Sequence, residues 1–579
     1  MLQEILGVAF IFVLTVLSAL PLGRYIAKVY SGQPTWSDFM APIENFIYKV
    51  CRINPKKEMT WQEHLVVLLT INCIWFFWMM FVLMNQGWLP LNPDGNPSMS
   101  ADLAFNTAIS FLVNCNLQHY SGETGATYFS QMAGLMYMQF VTAGTGMAAG
   151  AVVFKAMKPL PSEGSQKASP LEGRGLEKGL GNFYVYFLKS CTRILLPVSL
   201  IAAILLAYNG TPMNWEGKAN IVTLEGDSIQ VSRGPAAAMI AIKQAGTNGG
   251  GYYGANSAHP LENPDYFTNM VENILIILLP IAFVFALGFY LNRKKLAWMI
   301  FGVMTVGVFL LLGISMYFEL RGNPALDKMG LNQSLGSTEG KEMRFGSAAS
   351  AFWGITTTTT SNGSVNAMHD SMTPLSGAMQ LLDMMINALY GGVGVGFLNF
   401  YIFIIIAVFI SGLMVGRTPE LLGKKIEAKE MKIATLVALL HTFLILTFTA
   451  LSSYVLNSDK SLSWLSNPSF HGFSEMLYEY TSSSANNGSG FEGLADNLPF
   501  WNITCGIVLI LSRYLPIIGP VAIAGILANK KYIPESAGTL QTDTATFGFM
   551  VFAVIFIIAA LSFFPALALG PLAEFFTLR

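Results

Sequence analysis

Four times along this chain a membrane-length apolar stretch leads into a short run of Thr, Ser, Asn and Gly, and a second apolar stretch follows. The runs are Asn114-Cys115-Asn116-Leu117, Thr247-Asn248-Gly249-Gly250-Gly251, Ser361-Asn362-Gly363-Ser364 and Ala485-Asn486-Asn487-Gly488-Ser489. A ring of such segments can dehydrate a small cation inside a membrane, because inward-turned backbone carbonyls replace its water and small residues permit that turn. One polar run would be a loop. Four, each between hydrophobic stretches, point to a pore built from internal repeats.

The setting of those runs is lipid. Of 579 residues, 53% are hydrophobic and 12% charged, against about 25% charged in soluble proteins. The charges collect in short loops between apolar runs of 20 or more residues, long enough to cross a hydrocarbon core of ~30 Å. A net charge of −1 gives no case for nucleic-acid binding. Ten spans are expected, at 3–23, 63–84, 129–155, 183–208, 267–290, 297–319, 374–415, 431–457, 497–528 and 546–569. The seventh is too long for one straight crossing. The first has no basic leader before it and reads as a retained anchor.

Charge placement orients the chain. The loops at 24–62, 155–182, 291–296, 416–432 and 529–545 hold 21 Lys and Arg, and the intervening loops hold 8. By the positive-inside rule the first set is cytoplasmic, so both termini face outward. All four polar runs then lie in outer loops.

Without the first and last spans, eight remain, paired as 63–155, 183–290, 297–415 and 431–528. The expected organisation is an N-terminal extra span and cytoplasmic loop (1–62), these four pore repeats, and a final extra span (546–569). Each outer loop also offers a half-helix too short to span: Leu103 to Val113, Gly234 to Ala245, Gly346 to Ile355 and Phe473 to Tyr480. Such a helix enters from outside with its carbonyl end, about half a negative charge, pointing inward, which favours a cation there. Re-entrant segments survive at membrane depth when buried in protein or lining water. The fold class is therefore an all-α integral membrane protein of ten transmembrane helices. Four pseudo-symmetric span–pore helix–filter–span repeats surround one pore, with two extra helices.

The expected filter comprises Asn114, Cys115, Asn116, Thr247, Asn248, Gly249, Gly250, Ser361, Asn362, Gly363, Ala485, Asn486, Asn487 and Gly488, with Gln118 supporting the first run. The second and fourth runs are the most diagnostic. The first lacks a glycine and by itself reads as an ordinary polar turn. Gly391, Gly392, Gly394 and Gly396 interrupt the overlong seventh span. They read either as helix-packing glycines or as a break that lets a loop gate the pore from beneath. No strand precedes them, which excludes a nucleotide-binding glycine motif. Arg513 lies inside the ninth span, where a charge costs ~2.5–3.5 kcal/mol unless it faces water or a partner. Snorkelling to a surface competes with a cation-repelling or filter-supporting role in the pore.

The six histidines show no HExxH spacing; His119, His259 and His369 follow filter runs and read as structural support. The five cysteines (51, 73, 115, 191 and 505) have no ligand spacing and read as isolated thiols, with neither a disulfide framework nor a zinc site. No nucleophile elbow, GxxxxGK[ST] loop or DKTG sequence is present, so any ATP hydrolysis belongs to another polypeptide.

Gly246-Thr247-Asn248-Gly249-Gly250-Gly251, Ser484-Ala485-Asn486-Asn487-Gly488-Ser489, Gly416-Arg417-Thr418-Pro419-Glu420 and Asn114 through Glu123 carry a resemblance over essentially the whole chain. It resembles the KdpA family, the potassium-translocating subunits of bacterial high-affinity Kdp pumps. That resemblance implies an inner-membrane protein working with a P-type ATPase subunit (KdpB), with KdpC and with the small peptide KdpF. Potassium is the substrate, ATP and magnesium belong to the partner, and this chain needs no cofactor. It further implies that the glycine run at 391–396 is a gating loop, and that Arg417 and Arg513 are inner charged positions. Cys115 departs from the family pattern, in which Thr is expected. The competing reading is a stand-alone potassium channel or symporter of the Trk/Ktr/HKT type; the two extra spans and the triple glycine weigh against it. A membrane enzyme would need a catalytic constellation that this sequence does not display.

Overall fold

The computed structural model describes residues 2–158, 179–459, 461–534 and 540–578. Four of the counted loop charges, Lys167, Arg174, Lys178 and Lys460, lie outside the described residues. Among the described residues, ten helices are long and apolar enough to cross a membrane, the number expected. They differ in depth. The apolar windows of Ser130–Met157 and Tyr266–Leu291 are 83% and 89% buried, against 28% and 22% for Gln3–Ser31 and Ala428–Ser458. The first pair is an inner layer and the second is lipid-facing. Ser130–Met157 can sit inside because its middle, Thr142 through Ala151, is almost all Gly, Ala and Thr. Small side chains of this kind let helix backbones approach closely where lipid supplies no hydrophobic drive. The first helix, Leu2–Ser31, lies along Tyr266–Leu291.

Four short helices descend between the spans: Ala101–Leu112, Ala236–Ala245, Gly346–Thr359 and Phe470–Ala485. All are buried along nearly their whole length. The third and fourth run further than their apolar stretches suggested. Their final turns, Thr356 to Thr359 and Thr481 to Ser484, are hydroxyl-rich, and several of those hydroxyls bond back to helix carbonyls, as Thr358 Oγ1 does to Gly354 O and Thr481 Oγ1 to Leu477 O.

The overlong stretch at 374–415 is two helices, Pro374–Ile386 and Val395–Met414. Between them Asn387, Tyr390, Gly391 and Gly394 take positive φ, which ends one helix and turns the chain before the next. Outside the helices, the second repeat carries an antiparallel hairpin, Ala219–Val222 against Ser228–Val231.

Candidate functional site

The four polar runs follow directly from the carbonyl ends of the four short helices, and their backbones repeat one conformation. One residue near the start of each, Asn114, Thr247, Ser361 and Asn486, is left-handed, with φ of 61°, 48°, 49° and 51°. The residue two places further on, Asn116, Gly249, Gly363 and Gly488, is left-handed as well, with φ of 57°, 72°, 89° and 104°. The residues between them, Cys115, Asn248, Asn362 and Asn487, are not. Alternating handedness turns successive carbonyls to one side of the chain, the arrangement a dehydrated cation requires. Left-handed residues other than glycine cost about 1–2 kcal/mol each, so four runs sharing them is a built feature.

Each run is tied to its own helix in the same way. Cys115 N, Asn248 N, Asn362 N and Asn487 N donate to the carbonyls of Ser110, Lys243, Thr357 and Ser482 at 2.9–3.0 Å. In the third and fourth repeats a hydroxyl adds a second tie. Thr357 Oγ1 accepts from Gly363 N, and Ser482 Oγ from Gly488 N, both at 2.9 Å.

The runs then close on one another. A β-carbon on Gly249 would lie 1.8 Å from Asn362 O, one on Gly363 2.0 Å from Asn487 O, and one on Gly488 2.0 Å from Cys115 O. These are three junctions of a ring. At the fourth, Asn116 occupies the glycine position and its amide donates to Gly249 O at 2.8 Å, while Asn114 donates to Thr247 O at 2.9 Å. The first run is therefore no ordinary polar turn. Asparagine tolerates the left-handed region and its amide makes the inter-repeat contact that elsewhere is backbone against backbone. Asn362 and Asn487 also clamp the preceding repeat, donating to Lys243 O at 3.3 Å and Thr357 O at 2.8 Å. Cys115 holds the equivalent position in the first run, with a thiol where those two carry an amide. Gln118 pairs with the backbone of Gly251, accepting from its N–H at 2.7 Å and donating to its carbonyl at 3.1 Å. Ala485 is the last residue of its helix, one place before the alternating residues.

The break in the seventh stretch lies against this ring. Gly391 N donates to Thr359 O at 2.8 Å and Val393 N to Thr247 Oγ1 at 2.9 Å. Gly392 faces Thr247 Oγ1 and Thr360 O, and Gly394 packs so closely on Gly146 that an added β-carbon would lie 2.3 Å from its carbonyl. Gly396 folds back on Tyr390 and Gly391. Arg513 is buried, and its guanidinium comes within 3.5 Å of a β-carbon position on Gly146, which itself faces Val393 O. It thus sits beside the loop, and is not snorkelled to a surface. Arg417 is exposed, its nearest backbone tie running to Gly412 O, and the structure does not bring it to the ring.

The sequence profile of the KdpA family, described as potassium-transporting ATPase A subunit, matches residues 9–576. The chain belongs to the KdpA family. A relative in Flavobacterium johnsoniae, described as a potassium-transporting ATPase potassium-binding subunit, is 65% identical over the full length of both chains. Relatives with that description in Bacteroides thetaiotaomicron and Geobacillus kaustophilus are 61% and 44% identical, covering 98% or more of each chain. The solved structure of the potassium transporter TrkH from Vibrio parahaemolyticus superposes with a TM-score of 0.48 at 15% identity, over 89% of this chain and 97% of that one.

Behind the ring, this KdpA-family chain holds polar braces that sequence spacing did not reveal. Where the other repeats have Ser110, Thr357 and Ser482, the second has Lys243, fully buried. Its ammonium donates to Asn256 Oδ1 and Ser257 Oγ, each at 2.8 Å, and pairs with Glu262. Glu262 Oε2 in turn accepts from Tyr252 N and Tyr253 N at 3.0 and 3.3 Å. The brace therefore fixes the chain just after the triple glycine. The available signal was a Lys and two Glu (262 and 272) within otherwise apolar or small surroundings.

His119 binds Asn502 Oδ1 at 2.7 Å and Glu479 Oε1 at 3.1 Å, and the Cys505 thiol donates to the same carboxylate at 3.4 Å. Cys505 is thus not an isolated thiol: the loop after the first run and two helices bring it together with His119, Glu479 and Asn502, the first of these 386 residues away in sequence. Burial works against protonation of His119, yet Asp496 and the bonds to Glu479 and Asn502 outweigh it and hold its pKa up, at about 9. His369 bonds Tyr478 Oη at 2.9 Å, and Tyr478 reaches Ser489 Oγ at 2.8 Å. His259 stacks on Tyr253 with ring centroids 4.1 Å apart. His441, not singled out from the sequence, bonds Ser484 Oγ at 2.7 Å and Met384 O at 3.0 Å, linking the end of the fourth short helix to the helix before the glycine break.

Proposed function

We propose that this chain binds and translocates potassium as the non-hydrolytic subunit of an ATP-driven uptake pump. Potassium enters from the extracytoplasmic side and sheds its water against the carbonyls of the four runs. The observation that carries this reading is the alternation of left-handed residues at the same two positions of all four runs, closed into a ring by Gly249, Gly363, Gly488 and the Asn116 amide. The segment at 387–394 supports a gate: it is anchored to Thr247 and Thr359 on the ring's inner side, where it obstructs straight passage. Arg513 beside that loop discourages a cation from leaving inward by the same path. The curated relatives' description as potassium-binding subunits of a potassium-transporting ATPase supports the division of labour. Hydrolysis is assigned to a P-type partner of the KdpB kind, with KdpC and KdpF completing the assembly in the inner membrane.

The test is purification from native membrane followed by reconstitution. The assembly is expected to show potassium-stimulated ATP hydrolysis and concentrative potassium uptake, and this chain alone is expected to show neither. Gly488→Asp should assemble normally and weaken potassium affinity at least tenfold. Unchanged affinity at micromolar potassium would overturn the filter assignment. ATP hydrolysis by the isolated chain would overturn the subunit reading.

A further inference from the structure

On the outer side of the ring, three elements that are remote in sequence meet around a histidine. Asp370 lies in the short turn His369–Ser371 that follows the third run. His471 and Glu475 are one turn apart on the helix Phe470–Ala485. Glu574 belongs to the final helix, Ala573–Leu578. His471 Nε2 is 2.9 Å from Asp370 Oδ1 and its Nδ1 is 2.9 Å from Glu574 Oε1. Ligand atoms of Asp370, His471 and Glu475 all lie within 4.8 Å of one another.

Two features separate this group from an ordinary ion pair. Glu475 is completely buried, and although its Oε1 accepts from Asn467 N and Nδ2, its Oε2 has no hydrogen-bond partner. A buried carboxylate oxygen left without a donor is costly, about 1–3 kcal/mol or more for a charged group. The group also opens onto a cavity of about 560 Å³ lined by Asp370, His471, Glu574, Glu339 and Asn467, and among the described residues no lysine or arginine lines it. Glu492 adds a further carboxylate, accepting from Asp370 N at 3.1 Å. Carboxylates outnumber cationic groups here, and room for a hydrated ion adjoins them.

We propose that Asp370, His471 and Glu475 form a site for a divalent transition-metal cation of the zinc type at the outer mouth of the filter. Three atoms no more than 4.8 Å apart share a point no more than about 2.8 Å from each, so adjustment by less than about 1 Å per ligand reaches the 2.0–2.2 Å of Zn–N and Zn–O bonds. The metal takes His471 Nε2, whose proton leaves, and gives Glu475 Oε2 its missing partner. Glu574 keeps the Nδ1 proton and orients the ring, the carboxylate–histidine–metal arrangement common at such sites. Waters from the cavity complete the coordination. One bound cation would then join the turn after the third run, the fourth short helix and the C-terminal helix.

The purified full assembly, stripped with chelator, is titrated with Zn²⁺ against a chromogenic competitor and separately with Co²⁺ in the visible region. The expected result is one Zn²⁺ per chain, a Co²⁺ d–d band, and slower amide exchange across residues 573–578 on Zn²⁺ addition. Glu475→Gln and His471→Gln should each weaken binding at least tenfold, and Glu574→Gln by about 10–100-fold, the usual effect of losing an outer carboxylate. If one variant fails to accumulate, the others carry the comparison. Wild-type protein that takes up no stoichiometric Zn²⁺, or binding equally strong in all the variants, would overturn the site.

Discussion

The carbonyl of Asn487 stands 2.0 Å from where a β-carbon on Gly363 would be, in a residue whose φ is already +89°. Gly363→Ala therefore meets two obstacles together, a left-handed backbone and a neighbouring strand of the ring, and the ring must widen to admit the methyl. The expected outcome is at least a tenfold loss of potassium over sodium discrimination in uptake by the reconstituted assembly, with the protein still folded. Asn116→Ala is milder. The position already holds a β-carbon, so no new clash arises, and the main loss is the amide bond to Gly249 O, with a smaller cost for alanine at a φ of 57°. About 1 kcal/mol for one neutral hydrogen bond predicts a change of a few-fold in the same measurement. His119 gives a prediction in pH. Its pKa is raised from 6.5 to about 9, so protonation contributes stability that is fully present below about pH 6.5 and is lost as pH rises through about 9. Thermal unfolding midpoints should fall across that window, and His119→Gln should flatten the fall. An equal slope in the variant would place the titration elsewhere.

At the scale of elements, the glycine break is where the gate reading can fail. Gly394 has φ of +81° and packs with its α-carbon against Gly146, so Gly394→Ala pushes the loop off the inner helix while leaving the four runs untouched. Passive rubidium flux through the assembly, measured without ATP, should rise several-fold. Flux equal to that of the wild type would leave these glycines a packing role only. The elements themselves were legible wherever one local quantity decided them. Span length fixed the long helices, and a polar run after a short apolar segment marked the four descending ones. What escaped needed a partner far along the chain. Lys243, a buried cation in a helix of Ala and Ile, has its meaning only from Asn256, Ser257 and Glu262. The group of His119, Glu479 and Cys505 draws on the first and fourth repeats, and no spacing rule spans that distance. Asn116 was undervalued for a different reason. Sequence similarity compared residue types, whereas the shared property is a left-handed φ that glycine and asparagine both accept. Arg417, a charge carried over by resemblance, is exposed and away from the ring, so its role is not read from contacts with the polar runs.

For the molecule as a whole, the opposed ends of the chain's charge distribution make a statement about sidedness that its own cysteines can test. The loop 24–62 is among the basic ones and contains Cys51, which is exposed at the end of the helix Ala41–Val50. Cys115 and Cys505 are buried, Cys191 lies within the span Phe183–Tyr208 with its thiol on Phe140 O, and Cys73 is exposed only on the flank of the span Trp61–Asn85. A thiolate must meet its reagent in water, so a charged maleimide should modify Cys51 alone. It should do so in inside-out vesicles and not in right-side-out ones. Cys51→Ser should abolish the labelling, which identifies the site without further engineering. Modification from the outer face would invert the chain. The four helix carbonyl ends would then point at a cation arriving from the cytoplasm, and the chain could not serve as the entry subunit of an uptake pump. Labelling from the inner face keeps the polar runs, the cavity beside His471 and both termini on the side from which potassium is taken.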